Sequence, residues 1–297
     1  MSIVINTPNG NIGRPLVQKL LHSGRKVTII SRNPEKVSDL VKQGAKLVQG
    51  SIEDKATMDA ALQGAEALFW LSPPPARPDF LDWSAKVAQQ TAALVKAHGV
   101  QRVVVLSSVG AQNGPGSGPV SALKPVEEAF KAVSPNVTAL RAGFFMENFL
   151  RDVQALAKAG HIYNVAGPEK KFQMVAVADI ATKAAEVLTD ASWTGHRNLG
   201  VHGPQDLTYP EAAAILTQAL GRPVKYMQVG VEDMRGSLKG MGLPAWMADA
   251  FTEMYGAIKD GRMDAAEPRS KETTTPTTLA EFAATVLKPV VDQIRAS

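Results

Sequence analysis

The stretch "MSIVINTPNGNIGRPLVQKLLHSG" (1–24) sets a β-branched apolar run, a glycine-bearing turn and an amphipathic helix one after another without slack. "SIVI" reads as a buried strand, and Leu16, Val17, Leu20 and Leu21 share one helical face before Gly24 ends the helix. In nucleotide-binding proteins a turn at this place lets the backbone approach a pyrophosphate, packs helix against strand, and aims the free N–H groups of the helix N-terminus at the phosphates. Gly10 and Gly13 keep the i, i+3 pair that opens the helix, whereas Thr7 stands where the first glycine is expected and Pro8 follows it. Pro8 gives up only an N–H, and Asn9 and Asn11 tolerate turns and can donate side-chain hydrogen bonds. A purely structural βα turn is the competing reading.

Beyond this unit the pattern repeats. Strands are expected at 2–6, 26–31, 46–49, 66–71, 102–107 and 137–141, with helices at 14–23, 34–43, 54–63, 79–98 and about 122–133 between them. Such alternation specifies an α/β fold with a parallel, doubly wound Rossmann sheet. After Arg141 the regularity fails: a helix at 147–160, two short strand-like pieces, a helix at 178–190, a strand near 196–203, then a helix-rich tail. The segment "EPRSKETTTPTT" (267–278) reads as a surface loop. The expected organisation is a dinucleotide-binding domain over 1–155, with a returning strand near 196–203, and a smaller helix-rich substrate or partner lobe over 156–297.

Composition narrows the classes. With 297 residues, 45% of them hydrophobic, the chain can bury a sizeable core, and the absence of Cys removes disulfides, thiolate metal sites and a Cys nucleophile. No leader-like N-terminus and no apolar run of membrane-spanning length is present, so a soluble cytoplasmic protein without a membrane partner is expected. A net charge of +4 with no Lys/Arg block gives no reason to expect a nucleic-acid partner. The five histidines, His22, His98, His161, His196 and His202, show no metal-ligand spacing, and no metal is expected. Serine-hydrolase elbows and nucleoside-triphosphate loops are likewise missing from the sequence.

The second strand adds a cofactor preference. It ends "IISRNPEK", so Arg32 lies where an acidic residue would take the ribose hydroxyls of NAD. A cation there suits a 2′-phosphate, and Lys36 four residues on supplies a second positive charge. NADP(H) is therefore the expected cofactor, against the alternative of two solvated surface cations.

Several blocks together, "NGNIG" (9–13), "SRNPEK" (31–36), "ALFWLSPP" (67–74), "VQRVVVLSSVGA" (100–111), "EEAF" (127–130) and above all "TALRAGFFMENFL" (138–150), resemble the NmrA-like branch of the atypical short-chain dehydrogenases/reductases. The resemblance spans most of the chain and is strongest to about residue 205. It implies an NADPH-dependent reductase of quinones, dyes or related acceptors, or alternatively a non-catalytic NADP(H)-binding redox sensor with a protein partner. It also implies that Asn9, Gly10, Asn11, Ile12 and Gly13 meet the pyrophosphate, that Arg32 and Lys36 meet the 2′-phosphate, and that Leu71, Ser72 and Pro73 lie beside the nicotinamide ribose. Gly143, Phe144 and Phe145 would form a loop over the nicotinamide. Ser51 and Ile52 would lie near the adenine, although the family often carries Asp where this chain has Ser51.

The proton donor is the departure. Short-chain reductases usually protonate a carbonyl oxygen with Tyr in a Tyr-x-x-x-Lys pair. Counted from Arg141 and "EEAF", those positions fall near Pro119 and Leu123, which cannot transfer a proton; Lys124 is one place off and Ser108 ends the fifth strand, leaving both as weak catalytic candidates. Tyr255 and Lys259 match the spacing in the C-terminal lobe, where a chance i, i+4 pair is the simpler account. Met146, Phe149 and Tyr255, with Trp246, Met247, Phe251 and Met254, could line an apolar acceptor pocket or merely pack helices. A conjugated aromatic acceptor such as a quinone needs no positioned acid, because a quinol anion with a phenol-like pKa of about 10 can collect its proton from water. The expected function is hydride transfer from NADPH to such an acceptor.

Overall fold

Each Val- and Ile-rich run of the first half becomes a strand, and each is followed by a helix. The computed structural model describes residues 2–73 and 77–296. The alternating series comprises β1 (Ser2–Ile5), α1 (Gly13–His22), β2 (Val27–Ser31), α2 (Ser38–Lys42), β3 (Lys46–Gln49), α3 (Lys55–Leu62), β4 (Ala65–Trp70), α4 (Phe80–Ala97), β5 (Arg102–Ser108), α5 (Leu123–Lys131) and β6 (Val137–Ala142). There follow β7 (Phe144–Phe145), α6 (Val153–Ala159), β8 (His161–Asn164), β9 (Lys171–Val175), α7 (Val177–Thr189) and β10 (His196–Val201). The remainder holds β11 (Asp206–Thr208), α8 (Tyr209–Leu220), β12 (Lys225–Gln228), α9 (Val231–Gly240), α10 (Ala245–Lys259), α11 (Leu279–Phe282) and α12 (Lys288–Ala296).

Seven strands form one parallel sheet in the order β10-β6-β5-β4-β1-β2-β3. Every residue of β6 and five of the seven in β5 are buried, the continuous burial that helices on a sheet's faces require. Strand order reverses beside β1, which pairs with β2 on one side and β4 on the other. In a parallel sheet the strands' carboxyl ends share one edge, so the segments leaving β1, β2 and β4 emerge together at this switch point.

Contacts divide the chain into two units: residues 1–114, 120–141 and 180–199 form the first, and 115–119, 142–179 and 200–297 the second. The first has a core in which Trp70 of β4 packs on Phe130 of α5, ring centroids 5.4 Å apart. Local signals end its helices: Gly24 follows α1 at φ 74°, and the Asp54 carboxylate accepts from the N–H groups of Ala56 and Thr57 at the start of α3. The second unit carries a small β11-β9-β7 sheet, a parallel β8/β12 pair and a core centred on Tyr209.

The segment 267–278 runs largely exposed and without regular structure, as its composition suggests, but it is pinned at its threonines. Thr273 and Thr275 are buried, and they flank a parallel bridge between Thr274 and His202. His202 N–H donates to the Thr273 carbonyl at 2.8 Å and its own carbonyl accepts from Thr275 N–H at 2.7 Å, while Thr277 bonds the Asp179 carboxylate through both N–H and hydroxyl. Alternate threonines supply a strand-like pattern that the Pro, Ser and charged residues around them disguise.

One buried ion pair ties three elements of the first unit together. Glu127 on α5, 2% exposed, accepts from Ser107 on β5 at 2.6 Å and from Arg141 on β6 at 3.0 and 3.2 Å. Burial alone would push the Glu127 carboxyl up, but the Arg141 guanidinium and the Ser107 hydroxyl outweigh it and hold the value below the ordinary 4.5. A depressed folded-state value contributes stability that is present above the ordinary value and is lost as pH falls through the folded one. Glu127→Gln, which removes the buried charge that faces Arg141, is expected to cost about 3–5 kcal/mol at neutral pH. Urea denaturation between pH 7 and pH 3 checks this: the variant should also lose less of its remaining stability on acidification than the parent does.

Candidate functional site

The turn after β1 is built by a close approach. A Cβ placed on Gly13 would fall inside the van der Waals envelope of the Thr7 carbonyl oxygen, whereas one on Gly10 would lie 3.6 Å from the same atom, in ordinary contact. Gly13 is therefore required by the protein itself. Gly10 is exposed and meets no steric objection from the chain.

The first turn of α1 has no acidic residue, and Ile12 at its N-cap offers no side-chain acceptor. The N–H groups of Asn11, Ile12 and Gly13 find no acceptor among the described residues, and the buried Thr7 hydroxyl oxygen is also without a partner. An uncapped helix start with converging donors carries the positive end of the helix dipole and suits an anion. The cradle fits a dinucleotide pyrophosphate, with Thr7 in place of the first glycine.

Asn6, which sequence reasoning did not single out, fixes the neighbouring wall. This buried residue follows β1 and grips the residue after β4 with both ends of its amide, Nδ2 donating to the Leu71 carbonyl at 2.8 Å and Oδ1 accepting from Leu71 N–H at 3.0 Å. Ser72 in turn accepts from the Trp70 indole at 3.0 Å. Leu71, Ser72 and Pro73 are thus half-buried and held beside the turn, while Pro74 lies outside the described residues. A polar side chain ending a strand of Ile and Val is the signal that could have revealed Asn6.

On the other side, Arg32 and Lys36 are exposed and their side chains have no partner among the described residues. Ser51 is half-buried and its hydroxyl accepts from Glu53 N–H at 3.3 Å, whereas Ile52, 8% exposed, belongs to the core. Ser108 closes β5 half-buried, and Lys124 stands exposed in the first turn of α5. Leu123 begins that helix and Pro119 lies in the preceding 3-10 turn, so neither offers a proton.

Phe144 and Phe145 are not a loop: they form β7 and pair with Met174 and Val175 of β9, and a Cβ on Gly143 would strike the Gln173 carbonyl. Phe144 lies edge-on to Phe149, Phe172 and Tyr209 at 5.4–6.1 Å between centroids. Met146 and Phe149, each 1% exposed, are packed inside this core, so helix and sheet packing accounts for them rather than a pocket. Tyr255, 8% exposed, has its phenol pushed up by burial, the opposite of the acidification a catalytic tyrosine needs. Glu147 accepts from Val177 N–H with both carboxylate oxygens and so caps α7.

A doubly wound parallel sheet with an anion-ready turn after its first strand defines a protein of the Rossmann type. The chain belongs to the NmrA-like family, whose model matches residues 1–283. It is 33% identical over 258 residues to the NAD(P)H azoreductase of Xenophilus azovorans, covering 85% of this chain and 86% of that one. It is 29% identical to quinone oxidoreductase 2 of Escherichia coli over 289 residues, 94% of this chain and 96% of the relative. The crystal structure of the NADPH-dependent quinone oxidoreductase from Escherichia coli complexed with NADPH is similar at a TM-score of 0.82 and 27% identity, covering 95% of this chain and 98% of that one.

The two glycines should separate in a binding experiment. Gly10→Val is expected to leave thermal unfolding nearly unchanged while abolishing calorimetric binding of NADPH. Gly13→Ala, which must displace the Thr7 carbonyl, should cost about 1–3 kcal/mol of stability. Undiminished NADPH binding in Gly10→Val would make the turn merely structural.

Proposed function

We propose that this chain is an NADPH-dependent oxidoreductase that reduces a conjugated acceptor such as a quinone. The observation that carries the reading is the anion-ready turn, whose N–H groups at 11–13 have no partner among the described residues, in a chain whose second strand is followed by two exposed cations likewise unpartnered among those residues. Asn9, Gly10, Asn11, Ile12 and Gly13 hold the pyrophosphate, Arg32 and Lys36 hold the 2′-phosphate, and Leu71, Ser72 and Pro73 border the nicotinamide ribose. Ser51 and Ile52 border the adenine through their backbone. When bound, NADPH supplies a hydride.

The acceptor class follows from what the chain does not provide. Counted from Arg141 and "EEAF", the places of the usual acid pair fall near Pro119 and Leu123, which cannot transfer a proton, and burial makes Tyr255 a weaker acid than a phenol in water. An acceptor must then carry its new charge unaided, which a quinone or an azo compound does by delocalisation and an aliphatic ketone does not. The names of the azoreductase and quinone oxidoreductase relatives point the same way. No helix among the described residues is long and apolar enough to cross a membrane, in keeping with a small-molecule partner met in solution.

Purified protein with NADPH and a panel of acceptors tests this by loss of nicotinamide absorbance. Quinones should be reduced and simple aliphatic ketones should not, with Tyr255→Phe leaving quinone turnover nearly unchanged. Tight NADPH binding without turnover of any acceptor would favour a redox sensor instead. Ketone reduction abolished by Tyr255→Phe would place the proton donor in the second unit and overturn both readings.

A further inference from the structure

We propose that Arg14 is a positioning residue that sets the preference of this chain for NADPH over NADH, by locking the segment carrying Arg32 and Lys36 onto the glycine turn. The inference rests on the cofactor assignment above and concerns a residue that bonds the Asn9 side chain of the turn but neither the N–H groups at 11–13 nor the side chains of the two cations.

Arg14 is the second residue of α1, and its guanidinium joins three separate pieces of chain. Nη2 donates to the Asn9 side-chain oxygen at 2.7 Å and to the Lys36 carbonyl at 2.5 Å, while Nη1 meets the Asp39 carboxylate at 2.5 Å. Asn9 belongs to the turn, Lys36 to the segment leaving β2, and Asp39 to α2. The guanidinium reaches these three acceptors from two separate nitrogens of a planar fork, whereas an ammonium gathers its three donors on one nitrogen.

The segment so anchored is already stiff within itself. Ser31 Oγ donates to the Asn33 carbonyl at 2.9 Å, Asn33 N–H donates back to Ser31 Oγ at 3.2 Å, and Glu35 N–H donates to Asn33 Oδ1 at 3.1 Å. Arg14 therefore fixes a pre-formed loop by its backbone, leaving the Arg32 and Lys36 side chains exposed and without a partner among the described residues. Asp39, whose carboxyl is held below its ordinary range by the hydrogen bond from Arg14, is the counter-ion on which the Arg14 guanidinium is spent. What remains is geometric: two exposed cations are held in place before a ligand arrives, which lowers the ordering cost of using them. Only a dinucleotide with a 2′-phosphate draws on that arrangement.

Calorimetric titration of the full chain with NADPH and with NADH provides the test, read as the ratio of the two dissociation constants in the parent, Arg14→Met, Arg14→Lys and the double variant Arg32→Ala with Lys36→Ala. Both Arg14 variants should lose about tenfold of the discrimination, on the scale of one charge-assisted contact. Arg14→Met added to the double variant should change the ratio no further, because the cations it positions are gone. Parent-like discrimination in Arg14→Lys would assign the effect to charge and overturn the positioning role, as would equal losses for both dinucleotides in Arg14→Met. If the double variant collapses the ratio and the Arg14 variants do not, the role of Arg14 fails while the cofactor assignment stands. If the double variant leaves the ratio untouched, the assignment fails and this inference with it.

Discussion

The space between the Thr7 carbonyl and the backbone of Gly13 admits no side chain, and the arrangement of the site depends on that contact. Because the chain passes so close, α1 begins directly against the end of β1, with apolar Ile12 at its N-cap and its first donors uncapped. The same contact delivers the next residue, Arg14, to the segment leaving β2. Replacing the customary first glycine by Thr7 alters one wall of the turn and leaves this geometry in place, since the constraint lies at Gly13.

Much of this was legible in the sequence. The six strands of the first half fall within one residue or so of their expected ends, because buried parallel strands and amphipathic helices differ in period and each helix carries its own stop. Three kinds of feature were not legible. Asn6 grips Leu71 from 65 residues away, and no local pattern announces a partner that distant. Glu127 is 2% exposed and satisfied by Arg141 and Ser107, partners 14 and 20 residues away that its own helix does not announce. β7 is two residues long and exists only because β9 pairs with it, below the length at which a strand's alternation can be recognised.

The block "RAGFFMENFL" (141–150) illustrates how a family signature can be written by packing. Arg141 answers a buried carboxylate, Gly143 clears the Gln173 carbonyl, Phe144 enters the cluster around Tyr209, Met146 and Phe149 fill the core, and Glu147 caps α7. Each of these roles has a definite requirement for residue type, so the spacing of the whole block is set by folding. The turn after β1, by contrast, presents largely backbone N–H groups, which many side chains can accompany; this is why its sequence can depart at Thr7 while the block after β6 reads so plainly.

The bridge from His202 to Thr273–Thr275 bears on solubility. β10 is an edge strand of the seven-stranded sheet, and an open edge is a template on which a second chain can add its own strand. Directly beyond β10 both backbone groups of His202 are already taken by the chain's own threonines. Within the second unit, Thr273 and Thr275 therefore occupy the groups of His202 that an added strand would need, and a chain shortened before residue 267 would leave those groups open to such pairing.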